Sequence, residues 1–360
     1  MMETINPIDL KRRNDIDWLR IFATIVIFFF HSARAFDDIP WEIKNGETYI
    51  GFTLFVVFTH AWIMPLFFML SGISTFYALG HRSQTEFVKE RTQRLLIPYI
   101  FGICTVLAIQ VYFEALFGNE WLPPFKGNFF EFYFLNYFTR GIYDYGGYFP
   151  LGGIYLWYLS FLFIFSIITV KLFVYLRKIN LKNKFLKLAE FCGKPGGILI
   201  LLFPLILVQL IGIIVLPFLI NNGWSVLTYL LIFIYGFIIA SNDKFREATE
   251  KNAILTLIIG IISSIFFIIG FFNMSAEIDL ITIVIILLVM PLCCLCWLAT
   301  ILGFASKYAN KNSKYLKFLS DIVLPFYIIH QSIIIMCNFY IIQLNISIWL
   351  KFLLVVLMAF

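Results

Sequence analysis

Residues 16–36 read IDWLRIFATIVIFFFHSARAF, and this stretch decides the fold. It is long, apolar and aromatic, the length of about 20 residues that a bilayer-spanning helix needs. Yet it keeps Arg20 near its start and His31 near its end. At about 100° per residue, eleven positions make close to three full turns, so the two side chains share a face. They stand roughly 16 Å apart along the axis. A cation at one end of that face and an imidazole at the other suit an elongated anionic ligand that enters by one end and reacts at the other.

The rest of the chain repeats the pattern. Its 360 residues are 61% hydrophobic and 13% charged, about half the charged fraction usual in soluble domains. That is too little polar surface to cover a water-soluble globule. The class is an all-α, polytopic membrane helical bundle in a lipid bilayer. Ten spans are expected, at about 16–36, 52–79, 95–117, 154–176, 196–220, 224–242, 253–272, 279–303, 320–342 and 347–360. Pro65 is a kink site in the second. The tenth is short for a full crossing. The chain, 1–360, reads as one integral-membrane domain with no internal repeat.

The net charge of +6 reflects basic loops and is not a nucleic-acid signal. Of the 27 Lys and Arg residues, 22 fall in the N-terminal arm and alternate loops, among them Lys11, Arg12, Arg82, Lys182, Lys184 and Lys311. The opposite loops hold Arg34, Lys44, Lys126 and Arg140. This bias predicts that both termini are cytoplasmic. Lys11 to Arg13, an apolar run and Ala33-Arg34-Ala35 imitate a secretory leader. The run is long for a leader and an arginine occupies the cleavage site, so an uncleaved first helix is favoured. The connection 118–153 is rich in aromatics, Gly and Pro. It is open to two readings, a loop resting on the membrane surface or a cover over a site.

Ionisable groups at membrane depth are expensive and mark functional sites by default. His31 follows three phenylalanines. His330, in SDIVLPFYIIHQSIII (320–335), lies roughly 15 Å into its span, with Asp321 and Gln331 as polar neighbours. Each is open to the plainer reading of a histidine satisfied by a neighbouring helix, and Arg20 to that of a snorkelling edge residue. His60 is a weaker case, and His81 needs no explanation. Ser71-Gly72 lets another backbone or a thin ligand approach closely. Arg91 and Arg94, three apart, are expected on one helix face, where paired guanidinium groups suit phosphate; positive-inside anchoring competes. Cys104, Cys192, Cys293, Cys294, Cys296 and Cys337 lie mostly in apolar runs, without a disulfide framework or a zinc spacing. No metal and no tightly bound cofactor are expected.

These pieces together resemble the acyltransferase-3 family of bacterial integral-membrane acyltransferases. The family's arginine, ten residues and histidine match RIFATIVIFFFH, Arg20 to His31. Its FFxxSG pattern matches FFMLSG, 67–72, and its RxxR pattern matches Arg91 to Arg94. HAWIMPLFFMLSG and PFYIIHQ look most like the branch that contains glucans biosynthesis protein C, whose members add acyl groups, notably succinyl, to periplasmic glucans. The resemblance implies a bacterial inner-membrane enzyme that moves an acetyl or succinyl group from cytoplasmic acyl-CoA to a hydroxyl of an extracytoplasmic carbohydrate. Arg20, Arg91 and Arg94 would then meet CoA phosphates. Ser71 and Gly72 would line the pantetheine passage. His31 would act as general base, with His330 orienting it or holding the acceptor. An acyl-histidine intermediate is also open. Two other classes stay open: a polysaccharide or small-molecule transporter, and a structural partner in glycan assembly.

Overall fold

A computed structural model describes residues 13–118, 122–179, 185–217, 220–221, 223–273 and 279–360. Lys11, Arg12, Lys182 and Lys184 of the basic loops lie outside the described residues. The chain forms α1 (Asn14–Ala33), α2 (Ile50–His60), α3 (Ile63–His81) and α4 (Gln84–Phe117). A short helix, α5, covers 129–137. Then come α6 (Ile154–Lys178), α7 (Leu186–Cys192), α8 (Gly197–Val215), α9 (Val226–Ala240) and α10 (Asp243–Asn273). The last are α11 (Thr282–Ala309), α12 (Leu316–Ile341) and α13 (Ile348–Ala359). Among the described residues, eight helical runs are long and apolar enough to cross a membrane, and α9 and α13 are shorter apolar helices. The ten expected spans correspond to these ten runs.

Local chemistry sets the boundaries. α2 and α3 form one run broken at Ala61–Trp62. Pro65 has no N–H to offer the carbonyl four residues back, so the break falls there, as its position predicts. α4 begins in a capping box: Ser83 Oγ accepts from the Glu86 amide at 3.3 Å, and Glu86 Oε2 accepts from the Ser83 amide at 2.8 Å. It ends at Gly118, whose φ of +86° closes the helix in the left-handed region. Within α4, Thr92–Leu96 and Gly102–Val106 are wider turns with i→i+5 bonding.

The chain divides into two compact units interleaved in sequence. The first comprises the segment up to Ala23, His60–Val88 and Phe165–Ser320. Its tightest crossing joins α3 and α9. A Cβ on Gly72 would stand 2.0 Å from the Phe233 carbonyl oxygen, and one on Gly236 would stand 2.1 Å from that of Met69. Reciprocal glycines let the two backbones touch, as small residues do between membrane helices. α10 and α11 pack similarly at Gly303, beside the Thr249 carbonyl, and share a bond between Thr256 and Thr300 hydroxyls of 2.9 Å. Between α8 and α9 lies a two-residue ribbon, Ile220–Asn221 against Trp224–Ser225. Gln209 secures it, donating to the Gly223 carbonyl and accepting from the Ser225 amide.

The second unit comprises Thr24–Thr59, Lys89–Ile164 and Asp321–Phe360. Its core gathers Phe28, Ala33 and Phe36 from the first segment with Phe52 of α2, Ile334 and Cys337 of α12, and Val355 of α13. Between α4 and α6, the described residues 122–153 pack Phe132, Tyr137 and Tyr148 onto Ala108, Val111 and Ala115 of α4. Tyr137 donates to the Ile103 carbonyl at 2.6 Å and Tyr133 to that of Cys104 at 3.0 Å. Both carbonyls belong to the wide turn Gly102–Val106, so the tyrosines satisfy oxygens at an irregular turn. Phe130 and Phe134, four apart on the other side of α5, are exposed, as is Phe138 just past its end.

Candidate active site

The second unit brings two imidazoles together. His31, in the last turn of α1, and His330, in the middle of α12, hold their ring centroids 5.3 Å apart. His330 is fully buried and His31 is half-buried. Nδ1 of His330 lies 2.7 Å from the Tyr327 carbonyl. A carbonyl only accepts, so this nitrogen carries the proton and Nε2 keeps a lone pair. Among the described residues, His330 Nε2 and His31 Nδ1 are buried and meet no hydrogen-bond partner.

The pair sits in an aromatic frame. Trp41 lies nearly parallel to the His31 ring at 6.4 Å, and the Arg34 guanidinium stands 5.8 Å over the Trp41 ring. Phe326 stacks on His330 at 5.9 Å. Tyr155 stands 5.4 Å from His330 and 6.4 Å from His31. Its hydroxyl donates to the Ile328 carbonyl and lies 3.2 Å from Ser332 Oγ, and its own carbonyl accepts from the Tyr327 hydroxyl. These bonds tie α6 to the two turns of α12 that carry His330.

The connection 34–49 closes over this region with a fixed charge set. Asp37 is fully buried and accepts from Arg34 and from Lys44, the latter at 2.7 Å. Lys44 also donates to the Arg34 carbonyl at 2.7 Å, while burial pulls the Lys44 ammonium below its ordinary range. The Glu42 carboxyl is pushed up to about 7 by burial, against the pull of Arg34 and Lys44. From α13, Lys351 reaches back to Asn45 Oδ1 at 2.9 Å.

The remaining expected site residues are dispersed. In the first unit, Arg20 donates to Asp17 Oδ1 at 3.2 Å and to the Ser74 hydroxyl on α3. Ser71 is one turn from Ser74 and, like it, half-buried, so Ser71 shares the face of α3 whose Ser74 meets Arg20. Gly72 points the other way and is taken up by the α9 backbone. Of the two uses open to that glycine, the structure assigns close helix packing. In the second unit, Arg91 and Arg94 do not share a face as the three-residue spacing predicts. The turn Thr92–Leu96 is too wide for three residues to complete it. Arg91 is half-buried, whereas Arg94 is 70% exposed and paired with Glu90 at 3.3 Å. Asp321 is exposed near the start of α12 and is not a partner of His330 at depth; Gln331 is buried.

Sequence reasoning passes over Gln110 and Glu114 of α4. Both are fully buried; Gln110 Nε2 donates to Glu114 Oε1 at 2.7 Å, and the Tyr143 hydroxyl donates to Glu114 Oε2 at 2.8 Å. A carboxyl inside an apolar span obeys the rule that marks His31, so Glu114 is recoverable from sequence. Tyr155 and Trp41 carry no such signal.

Comparison with known proteins gives the chain a family. A family model described as an acyltransferase domain matches residues 13–360. Glucans biosynthesis protein C of Escherichia coli strain K12 is 25% identical over 99 residues, which is 28% of this chain and 26% of that protein. The proteins of that name from Escherichia coli O1:K1 and O157:H7 match with the same identity and extent. The match thus spans about a quarter of the curated relatives' length. No solved structure matches the chain.

Proposed function

Since this chain belongs to the acyltransferase-3 family and is a multi-pass membrane acyltransferase, we propose that it transfers an acetyl or succinyl group from acyl-CoA to a hydroxyl of a glycan. The observation that carries the reading is the imidazole pair, His31 and His330, with two buried nitrogens that no described protein group engages. An acceptor hydroxyl gives its proton to a lone pair on this pair as its oxygen attacks the thioester carbonyl. The tetrahedral intermediate then breaks its C–S bond, and the CoA thiolate takes the proton back from imidazolium. One C–O bond forms, one C–S bond breaks, and nothing is oxidised or reduced. His31 is the general base. His330, fixed in one tautomer by the Tyr327 carbonyl, holds the acceptor or supports the base.

Arg91 and Arg94 are proposed to meet donor phosphates, as are Arg20 and the neighbouring Ser71. Gly72 supports the fold beneath Ser71. No tightly bound cofactor takes part. The lysine and arginine bias of the loops supports cytoplasmic termini in a bacterial inner membrane, with the donor on the cytoplasmic side and the glycan outside. The glucans named for the relatives support a glucan as acceptor.

The test is direct. Membranes carrying the protein, supplied with labelled acetyl-CoA or succinyl-CoA and a glucan, release free thiol and label the glucan. A transporter or an assembly partner does neither. Absence of both signals with each donor overturns the reading.

A further inference from the structure

Acyl transfer leaves unassigned a set of buried polar side chains in the second unit. On α12, Gln331, Ile335 and Asn338 fall at i, i+4 and i+7 and so share one face. Ile335 packs with Ile43 of the 34–49 connection and with Phe113 of α4, which turns that face toward both. The matching stretch of α4 carries Gln110 and Glu114, bonded to each other one turn apart. Glu42, next to Ile43 in the chain, lies within electrostatic reach of Glu114. Three short stretches far apart in sequence thus bring amides and carboxyls around one small apolar contact.

Gln110 and Asn338 are 0% exposed and Gln331 is 1% exposed. Oε1 of Gln110, Oε1 of Gln331 and both amide atoms of Asn338 meet no hydrogen-bond partner among the described residues. Buried polar groups are paired in the great majority of cases, and an amide without a partner is costly to keep. A packing role does not account for four such atoms, since leucine in place of asparagine or methionine in place of glutamine would fill the same space. The inventory has a definite chemistry. Amides offer donors and acceptors side by side, and carboxyls accept, which matches the paired donor and acceptor roles of vicinal hydroxyls. The nearby cations are already engaged: Arg34 and Lys44 by Asp37, and Lys351 by Asn45 Oδ1 and the Ile342 carbonyl, so none of the three is set aside for an incoming anion.

We propose that Gln110, Glu114, Gln331 and Asn338 bind a neutral, polyhydroxylated acceptor, next in the chain to the His330 imidazole. The site discriminates against acceptors bearing carboxylate or phosphate. The proposal rests on the acyl-transfer reading for the use of this ligand, but binding is measurable apart from turnover.

The full chain in nanodiscs is titrated calorimetrically with a neutral glucose tetrasaccharide and with a glucuronic acid tetrasaccharide. The neutral sugar binds at least tenfold more tightly. Asn338→Leu and Gln331→Met each weaken it at least tenfold while melting no lower than the wild type, because each removes an unpartnered buried amide at nearly constant volume. Asn338→Ser, which adds no apolar bulk, weakens binding in the same way. In turnover, these variants raise the acceptor KM and leave the acyl-CoA KM within twofold. Equal binding of the two tetrasaccharides, no binding of either, unchanged affinity in the variants, or a melting temperature more than 5 °C below wild type in Asn338→Leu each overturns the site. If sugar binds as expected but no acyl-CoA is consumed, the site stands and the acyl-transfer reading falls. If transfer occurs with an unchanged acceptor KM in every variant, the reading stands and the site falls.

Discussion

The rings of His31 and His330 lie 5.3 Å apart and are tilted by 52° to one another, although roughly 300 residues of chain separate them. Neither imidazole needs the other for solubility or for helix formation. Both are dear to keep inside an apolar bundle, and they are kept in contact range of each other. The first expected outcome concerns His31. His31→Ala lowers kcat by about 10²–10⁴, the range for loss of a general base, at normal expression and with the acyl-CoA KM little changed. Initial rates of thiol release in membranes check this; full activity removes His31 from the chemistry. A burst of acylated protein in the absence of acceptor identifies a covalent route instead of direct transfer.

His330 admits a finer dissection. Its Nδ1–H serves the Tyr327 carbonyl, and its Nε2 is buried without a hydrogen-bond partner among the described residues. Asparagine places an N–H near Nδ1 and leaves nothing at Nε2; glutamine reaches toward Nε2. His330→Gln therefore retains more kcat than His330→Asn. Equal and near-normal rates in both variants assign His330 to satisfying the carbonyl alone.

Tyr155 supports the same turn of α12 from α6. Tyr155→Phe leaves the Ile328 carbonyl and Ser332 without its hydroxyl, at a cost of about 1 kcal/mol. The melting temperature falls by a few degrees, and kcat falls more than the acyl-CoA KM changes. Unchanged kcat with a lowered melting temperature limits Tyr155 to stability.

Ser71 and Gly72 are adjacent and are expected to respond in opposite ways. Gly72→Ala drives a Cβ toward the Phe233 carbonyl, 2.0 Å away, and backbone cannot step aside as a flexible side chain does. It lowers folded yield and melting temperature sharply. Ser71→Ala folds normally and raises the acyl-CoA KM. Size-exclusion profiles in detergent and a donor titration separate the two. A well-folded Gly72→Ala protein contradicts the close crossing of α3 and α9.

Glu42 gives the pH dependence its sign. Its carboxyl is raised from an ordinary 4.5 to about 7 by burial, so the folded protein holds a proton there that the unfolded chain has already released. Stability from this group is fully present below about 4.5, declines as pH rises and is lost above about 7. Glu42→Gln flattens the fall in melting temperature between pH 5 and pH 8. An equally steep fall in the variant assigns it to other groups.

The membrane architecture was legible because span length and apolar content are local properties. The break near Pro65 follows from one missing N–H. The wide turns at Thr92–Leu96 and Gly102–Val106 were not legible, because hydropathy carries no helical register, and with them went the shared face expected for Arg91 and Arg94. His31 and His330 were each marked by the cost of burying them; their contact was not, since no spacing rule reaches across roughly 300 residues. Glu114 was readable by the same cost. Asn338 was not, because a lone amide in a span is a common interhelical hydrogen-bonding group and becomes informative only when its partners are known to be missing.

The interleaving of the second unit has a consequence for biosynthesis. Thr24–Thr59 leaves the ribosome early, whereas Asp321–Phe360 comes last. At ~5–20 residues per second, the early segment waits on the order of 15–60 s for the strand of chain that completes its core. Through that interval the nascent protein has one histidine of the pair in place without the other. Until then Phe28, Phe36 and Phe52 lack the Ile334 and Val355 side chains that complete their core.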